Sequence, residues 1–242
     1  MILSQIARAQ EVDYDAEHQE STLPNFSRVH SNFEFYSFNG GERAVHWVTN
    51  GKLELGDRDY LNLEMIWGYY NKEGKHAWTP GDFSLAYSRN YYSSKFGDSG
   101  WQGWSPTVKL ILPTGNPEYA AIFGHWILEP SFQYTWLLND DRFFIRNRWR
   151  VNFPLANTND WPEPPIFLRF EPQIGFENSK FWASATMDNR MVFNMDAYVI
   201  FGRLDAGYKI SKKSGINVFY TERLREKVLF KKYAGVSFYY NF

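Results

Sequence analysis

Cysteine is absent from the sequence. That excludes disulfides, thiol nucleophiles and cysteine-based metal sites, and it suits export through an oxidising compartment, where stray thiols are a hazard. Also lacking is any apolar run near the roughly 18 residues of a membrane-spanning helix. Stretches of helical period are missing, and no segment recurs as an internal repeat. Neither sign of charge is in excess: 26 Lys and Arg against 27 Asp and Glu leave a net charge of −1, so there is no basic footprint for nucleic acid. The five histidines are His18, His30, His46, His76 and His125. No His-x-Ser pair of the outer-membrane phospholipase kind occurs; His30 and Ser31 are adjacent, so on a strand they point to opposite faces. Only His46 is expected inside a sheet, as a polar interior residue. Acidic turn residues such as Asp57, Asp59, Asp140 and Asp141 read as turn caps and not as cation ligands. No catalytic residue, metal site or cofactor is implied.

Aromatic residues, in contrast, are abundant: 21 Phe, 16 Tyr and 10 Trp make 19% of the chain. Few soluble cores need so many, whereas a membrane barrel uses them as girdles at its two water–lipid interfaces. The mean hydropathy of −0.50 does not oppose this, because a barrel strand shows lipid only every second residue. Such a protein must close on itself, since open sheet edges cannot be satisfied in lipid.

The last eleven residues carry the strongest single signal. Ala234, Val236, Phe238, Tyr240 and Phe242 share one face of a strand, and Tyr233, Gly235, Ser237, Tyr239 and Asn241 share the other. An aromatic closing strand that ends on Phe resembles the last strand of bacterial outer-membrane barrels. The period-2 rhythm predicts twelve strands, at about 31–39, 43–56, 59–71, 81–92, 103–113, 125–138, 141–153, 165–176, 179–188, 196–210, 215–223 and 231–242. Every second connection is a short turn, such as Asn139-Asp140 or Glu177-Asn178-Ser179. The alternate ones, 72–80, 113–124 and 154–164, are long and rich in Pro, Gly and Trp. That asymmetry predicts one all-β antiparallel up-and-down transmembrane barrel with tight turns and both termini on the periplasmic side. The segment 93–102 fits less well, being long where a short turn is expected. Trp101-Gln102-Gly103-Trp104 reads as interfacial girdle. Residues 1–30 are expected as a residual signal segment and polar periplasmic tail, with a cleavage-like Ala7-Arg8-Ala9 before Gln10, and 31–242 as the barrel.

Function must then lie on the inward face. Arg142, Arg146, Arg148 and Arg150 alternate along 141–153, with side chains about 7 Å apart on one face. Facing lipid, each would cost about 2–4 kcal/mol near the midplane, so they must face the lumen. The same alternation points Lys52, Lys109, Arg169, Arg203, Lys209 and Lys231 inward, with Glu54, Glu64, Glu129, Glu171, Asp188 and Asp205. Two readings stay open. Arg146, Arg148, Arg150, Arg169 and Arg203, with Glu129, Glu171 and Asp205, line a water-filled pore that draws small solutes inward. Alternatively the arginines pair with Glu129 and Glu171 on the adjacent strands and fill a closed interior.

Within 104–152, the run Ser105-Pro106-Thr107-Val108-Lys109-Leu110-Ile111-Leu112-Pro113-Thr114-Gly115 leads into an alternating strand, a short turn and another strand. A strand ending in Leu-Pro-Thr-Gly resembles the outer-membrane transporters grouped as the "MetA-pathway of phenol degradation" family, over residues 80–242. The resemblance implies an outer-membrane barrel for uptake of small, sometimes aromatic, solutes. The reading at this point is a monomeric outer-membrane channel, porin-like, for passive uptake of small polar, anionic or aromatic solutes. Its partners would be outer-membrane lipid and lipopolysaccharide. The alternatives are a non-conducting barrel that anchors or scaffolds partners, and a soluble barrel that binds a hydrophobic ligand.

Overall fold

The structure, a computed structural model, describes residues 26–38, 43–56, 58–72, 75–93, 100–115, 125–138, 143–157, 164–226 and 231–242. These residues form fifteen strands: β1 (Phe26–Ser37), β2 (Arg43–Glu54), β3 (Asp59–Lys72), β4 (Lys75–Pro80), β5 (Phe83–Arg89), β6 (Tyr91–Ser93), β7 (Gly100–Leu112), β8 (His125–Leu138), β9 (Phe143–Val151), β10 (Phe153–Asn157), β11 (Phe167–Glu177), β12 (Phe181–Val192), β13 (Ala197–Lys209), β14 (Ser214–Arg225) and β15 (Lys232–Asn241). A 3-10 turn, Phe193–Met195, joins β12 to β13.

Register reduces the fifteen to twelve staves. β5 and β6 pair with β7 in one continuous register, from Phe83↔Leu112 to Ser93↔Gln102. β4 precedes them on the same side of β3, offset by a bulge at Gly81–Asp82. β9 and β10 likewise run along β8 as one stave broken at Asn152. Each stave is antiparallel to its neighbours. β1 closes the ring on β15 through ten residue pairs, from Arg28↔Asn241 to Ser37↔Lys232. With an even number of staves, the start of β1 and the end of β15 lie at one end of the barrel, which also carries the short connections 55–58, 178–180 and 210–213; the long connections 113–124 and 158–166 lie at the other.

Period-2 chemistry decides which face is which. On β8, Trp126 and Phe132 are exposed outward while Ile127, Glu129 and Thr135 are buried inward. The outer wall is predominantly apolar, with Ile174 63% and Leu204 62% exposed in the isolated chain. Aromatic pairs such as Phe33–Trp47, Tyr91–Trp104 and Trp149–Phe170 stack along it. A belt of this kind on a sheet without edges is a wall made for lipid. At the loop end, Val192, Val199 and Phe201 pack inside with Phe167.

The strand boundaries differ from expectation in several places. β1 starts at Phe26, so residues 26–30 belong to the barrel and not to the tail. Most of the expected loop 72–80 is β4, because Trp78 and Thr79 continue the alternation, one exposed and one buried. β12 runs on to Val192, four residues past its expected end. The stretch 93–102 adds no stave: β6 and β7 take its two ends, and 94–99 lie outside the described residues. The turn at 139–142, with Arg142, and the segment 1–25 lie outside them as well.

The Leu-Pro-Thr-Gly motif has a structural explanation. It docks on the bulge of the neighbouring stave. Phe83 N donates to Thr114 Oγ1 at 2.9 Å, and Gly115 N donates to Asp82 Oδ1 at 3.2 Å. A side chain at Gly115 would place its Cβ 2.8 Å from the Gly81 carbonyl carbon, so only glycine permits the approach.

Candidate functional site: a charged wall and a tyrosine wall in the lumen

β8, β9, β11 and β12 bring most of the expected site residues together. Pairing sets Arg150 opposite Arg169, and Arg169 opposite Arg190, so three arginines share one row across three strands. Like charges directly opposed across strands are destabilising. The adjoining row supplies the remedy: Arg148 faces Glu171, and Asp188 stands two residues before Arg190 on β12. Glu171 receives Arg148 at 2.7 Å, Arg150 at 2.9 Å and Arg169 at 2.9 Å. Asp188 receives Arg169 and Arg190, each at 2.6 Å. Glu129, from β8, takes Arg150 from the other side at 3.4 Å. Four guanidinium groups thus share three carboxylates in one connected cluster.

The cluster is dry on one side only. The Glu171 side chain is 5% exposed, whereas Arg148 is 40% exposed. Burial of this many charges is tolerable only because each carboxylate is held by at least one guanidinium. The β11–β12 pairing skips from Phe170↔Asn189 to Gln173↔Thr186. Pro172, which has no N–H to give, lies within this gap.

The remaining expected residues lie apart from the cluster. Arg203 and Asp205 pair with each other along β13 at 2.7 Å. Arg146 points inward but donates to Thr135 Oγ1 and Gln173 Oε1, both at 3.3 Å. Lys109 holds Glu64 at 2.8 Å, and Lys209 holds Glu177. Lys231, expected inward, is instead exposed ahead of β15, where its N–H bonds Ser37 O at 2.9 Å; the strand starts one residue later than the alternation was read. His30 and Ser31 part as the spacing requires, Ser31 Oγ accepting from Trp47 Nε1 on the outer face.

The opposite wall, from β14, β15, β1 and β2, is built differently. Tyr36 and Tyr233 are paired across the β1–β15 seam and stack at 4.8 Å and 5°. Tyr36 O–H donates to Glu34 at 2.6 Å, and its ring meets His46 at 4.6 Å. Ser237 donates to Asn217. Arg203 Nη1 reaches over to the Tyr233 oxygen at 3.0 Å. Tyr233 also lies within electrostatic reach of Arg169 and Arg190, and Arg150 within reach of Glu64.

Sequence reading missed Arg190, Arg28, Glu34, Tyr36 and Tyr233 as site residues. The signal for Arg190 was present: Ser184, Thr186, Asp188 and Arg190 alternate with Ala183, Ala185 and Met187 without a break. The tyrosines carried no such sign, because their role depends on which strands meet at the seam.

No family model matches the chain, and no curated protein matches it. Solved structures do. An outer-membrane channel from Pseudomonas putida F1 aligns with a TM-score of 0.69 at 12% identity, over 94% of this chain and 100% of that one. The KdgM porin aligns at 0.60 and 13% identity, over 89% and 99%. The outer membrane phospholipase A from Escherichia coli aligns at 0.53 and 11%, over 93% and 94%. The fold is that of bacterial outer-membrane barrels of twelve strands. Because that fold hosts both channels and a phospholipase, function must be argued from the lumen.

Proposed function

We propose that this chain is a porin-like channel of the outer membrane, passing small polar or anionic solutes along its charged lumen. The observation that carries the reading is the Arg148–Arg150–Arg169–Arg190 cluster. It sets more guanidinium than carboxylate charge on an inward face, with Arg148 left open to the lumen. A fixed cationic surface in a narrow, low-dielectric passage concentrates anions. The fold likeness to porins supports this, and a KdgM porin has been solved in complex with oligogalacturonate, a carboxylate-bearing sugar chain. In this reading the tight turns and both ends of the barrel face the periplasm, the barrel acts as a monomer, and lipid with lipopolysaccharide surrounds the aromatic belt. The Leu112-Pro113-Thr114-Gly115 motif further supports a place among the MetA-pathway transporters.

One observation favours the second reading, a non-conducting barrel that scaffolds partners. Glu129, Glu171 and Asp188 are all buried in ion pairs, which is how a filled interior would look. Single-channel recording in planar bilayers separates the two. The channel reading expects discrete conductance with modest anion preference, and replacing Arg146, Arg148 and Arg150 together by Ser should shift the reversal potential toward cations. A folded barrel that never conducts would end it.

A further inference from the structure

Most of the inward cations are matched by a carboxylate, and Lys52, paired opposite Arg28, lies over the Tyr60 ring at 3.5 Å. Arg148, Arg150, Arg169, Arg190 and Arg203 each hold a carboxylate, as do Lys109 and Lys209. Arg146 and Arg28 hold none among the described residues. Arg146 has its two long bonds to neutral oxygens. Arg28 Nε donates to Asn241 Oδ1 at 2.7 Å. Both lie near the turn end of the lumen and both are within electrostatic reach of Glu177, but that carboxylate is already bound by Lys209. A half-buried guanidinium without an ion pair of its own loses hydration and gains little in return.

Their placement in the ring gives this a geometry. From β1 to β9 there are six steps through β2, β3, β5, β7 and β8, and six through β15, β14, β13, β12 and β11. Arg28 on β1 and Arg146 on β9 therefore stand on diametrically opposite walls. Each has an aromatic ring at its side: Phe144 lies 5.1 Å from the Arg146 guanidinium carbon, and Tyr239 lies 5.4 Å from that of Arg28. Each ring in turn is paired across the strand boundary with a glycine, Phe144 with Gly175 and Tyr239 with Gly215. A Cβ on either glycine would run into the ring. The rings can thus lie flat on the wall instead of standing in the lumen. The same unit of arginine, ring and glycine recurs at Arg203, Phe219 and Gly235, but there the arginine holds Asp205; the units of Arg146 and Arg28 have no such ion pair and stand on opposite walls.

We propose that the turn end of the lumen is a binding station for small anions, gripped from opposite walls by Arg146 and Arg28. The solute class is one carrying a carboxylate or phosphate, since those groups accept the planar fork of guanidinium donors. The station rests on the channel reading for how solutes reach it, although binding itself requires no conduction. The purified full chain in detergent micelles is titrated calorimetrically at low salt with acetate and, separately, with inorganic phosphate. Saturable binding of one of them at one site per barrel is expected, and the tighter probe identifies the preferred head group. Arg146→Gln and Arg28→Gln should each weaken it at least tenfold, Lys at either position should restore part of it, and Arg225→Gln, at the far end of the barrel, should leave it unchanged. Gly175→Val tests the same site without removing charge, by pushing the Phe144 ring into the lumen, and should also abolish binding. No saturable binding of either probe, or binding indifferent to both arginine variants, overturns the station. Binding by a barrel that never conducts would overturn the channel reading and leave the station standing; conductance without binding would do the reverse.

Discussion

On β8, β9, β11 and β12 the lumen is lined by charge, while on β14, β15, β1 and β2 the same depth is filled by tyrosine rings, amides and hydroxyls. The charged wall is a connected object, in which Glu171 and Asp188 between them hold four arginines. The tyrosine wall is a set of local contacts, each ring satisfied by a neighbour or two. The difference teaches where the protein can change without collapse. Removing one carboxylate from the cluster strands several buried cations at once. Removing one hydroxyl from the other wall affects one partner. Single substitutions should therefore be borne more easily on the tyrosine wall than on the charged one.

The contrast can be broken most directly at Glu171. Glu171→Gln leaves Arg148, Arg150 and Arg169 to share what remains, and loss of one partner of a buried ionic group costs about 3–5 kcal/mol. Urea unfolding in micelles should show a clearly lowered midpoint; an unchanged midpoint would mean that the cluster is hydrated and the wall is not dry. Next in size is the lipid face outside that wall, where Met187→Arg is expected to cost about 2–4 kcal/mol near the midplane. A neutral result there, by the same unfolding assay, would contradict the assignment of the outer face. Arg203→Gln, which removes both the ion pair to Asp205 and the bond to Tyr233, should cost about 1.5–3 kcal/mol. The smallest effect is expected from Tyr233→Phe, about 0.5–1.5 kcal/mol for one lost hydrogen bond. If Tyr233→Phe proved as damaging as Glu171→Gln, the two walls would form a single network and the contrast would fail.

Much of this was legible in the chain. Alternation along a strand is a property of neighbours in sequence, so the faces of β8, β9 and β11 and the inward position of Arg146, Arg148 and Arg150 follow from reading period 2. The same rhythm gave the count of twelve, and the turn and loop asymmetry gave the barrel its two ends. What eluded the sequence depends on neighbours in space. The stacking of Tyr36 on Tyr233 requires the register of a seam joining the two ends of the barrel. The row of Arg150, Arg169 and Arg190 requires the registers of two hairpins, and an expected strand end at 188 hid its third member. Trp78 and Thr79 were obscured for another reason: Pro80 and Gly81 so resemble loop chemistry that the strand before them read as loop.

The seam between β1 and β15 has a kinetic consequence. Arg28 and Asn241, which meet across it, are 213 residues apart in the chain. Contacts of such separation cannot form until the intervening staves are in place, and topologies dominated by them fold slowly. Until β15 arrives, β1 is an unpaired edge bearing Phe33 and Phe35, open to pairing with any other exposed strand. β1, the first of the described strands, is the last to be completed, so the period of greatest danger for this barrel is its own assembly.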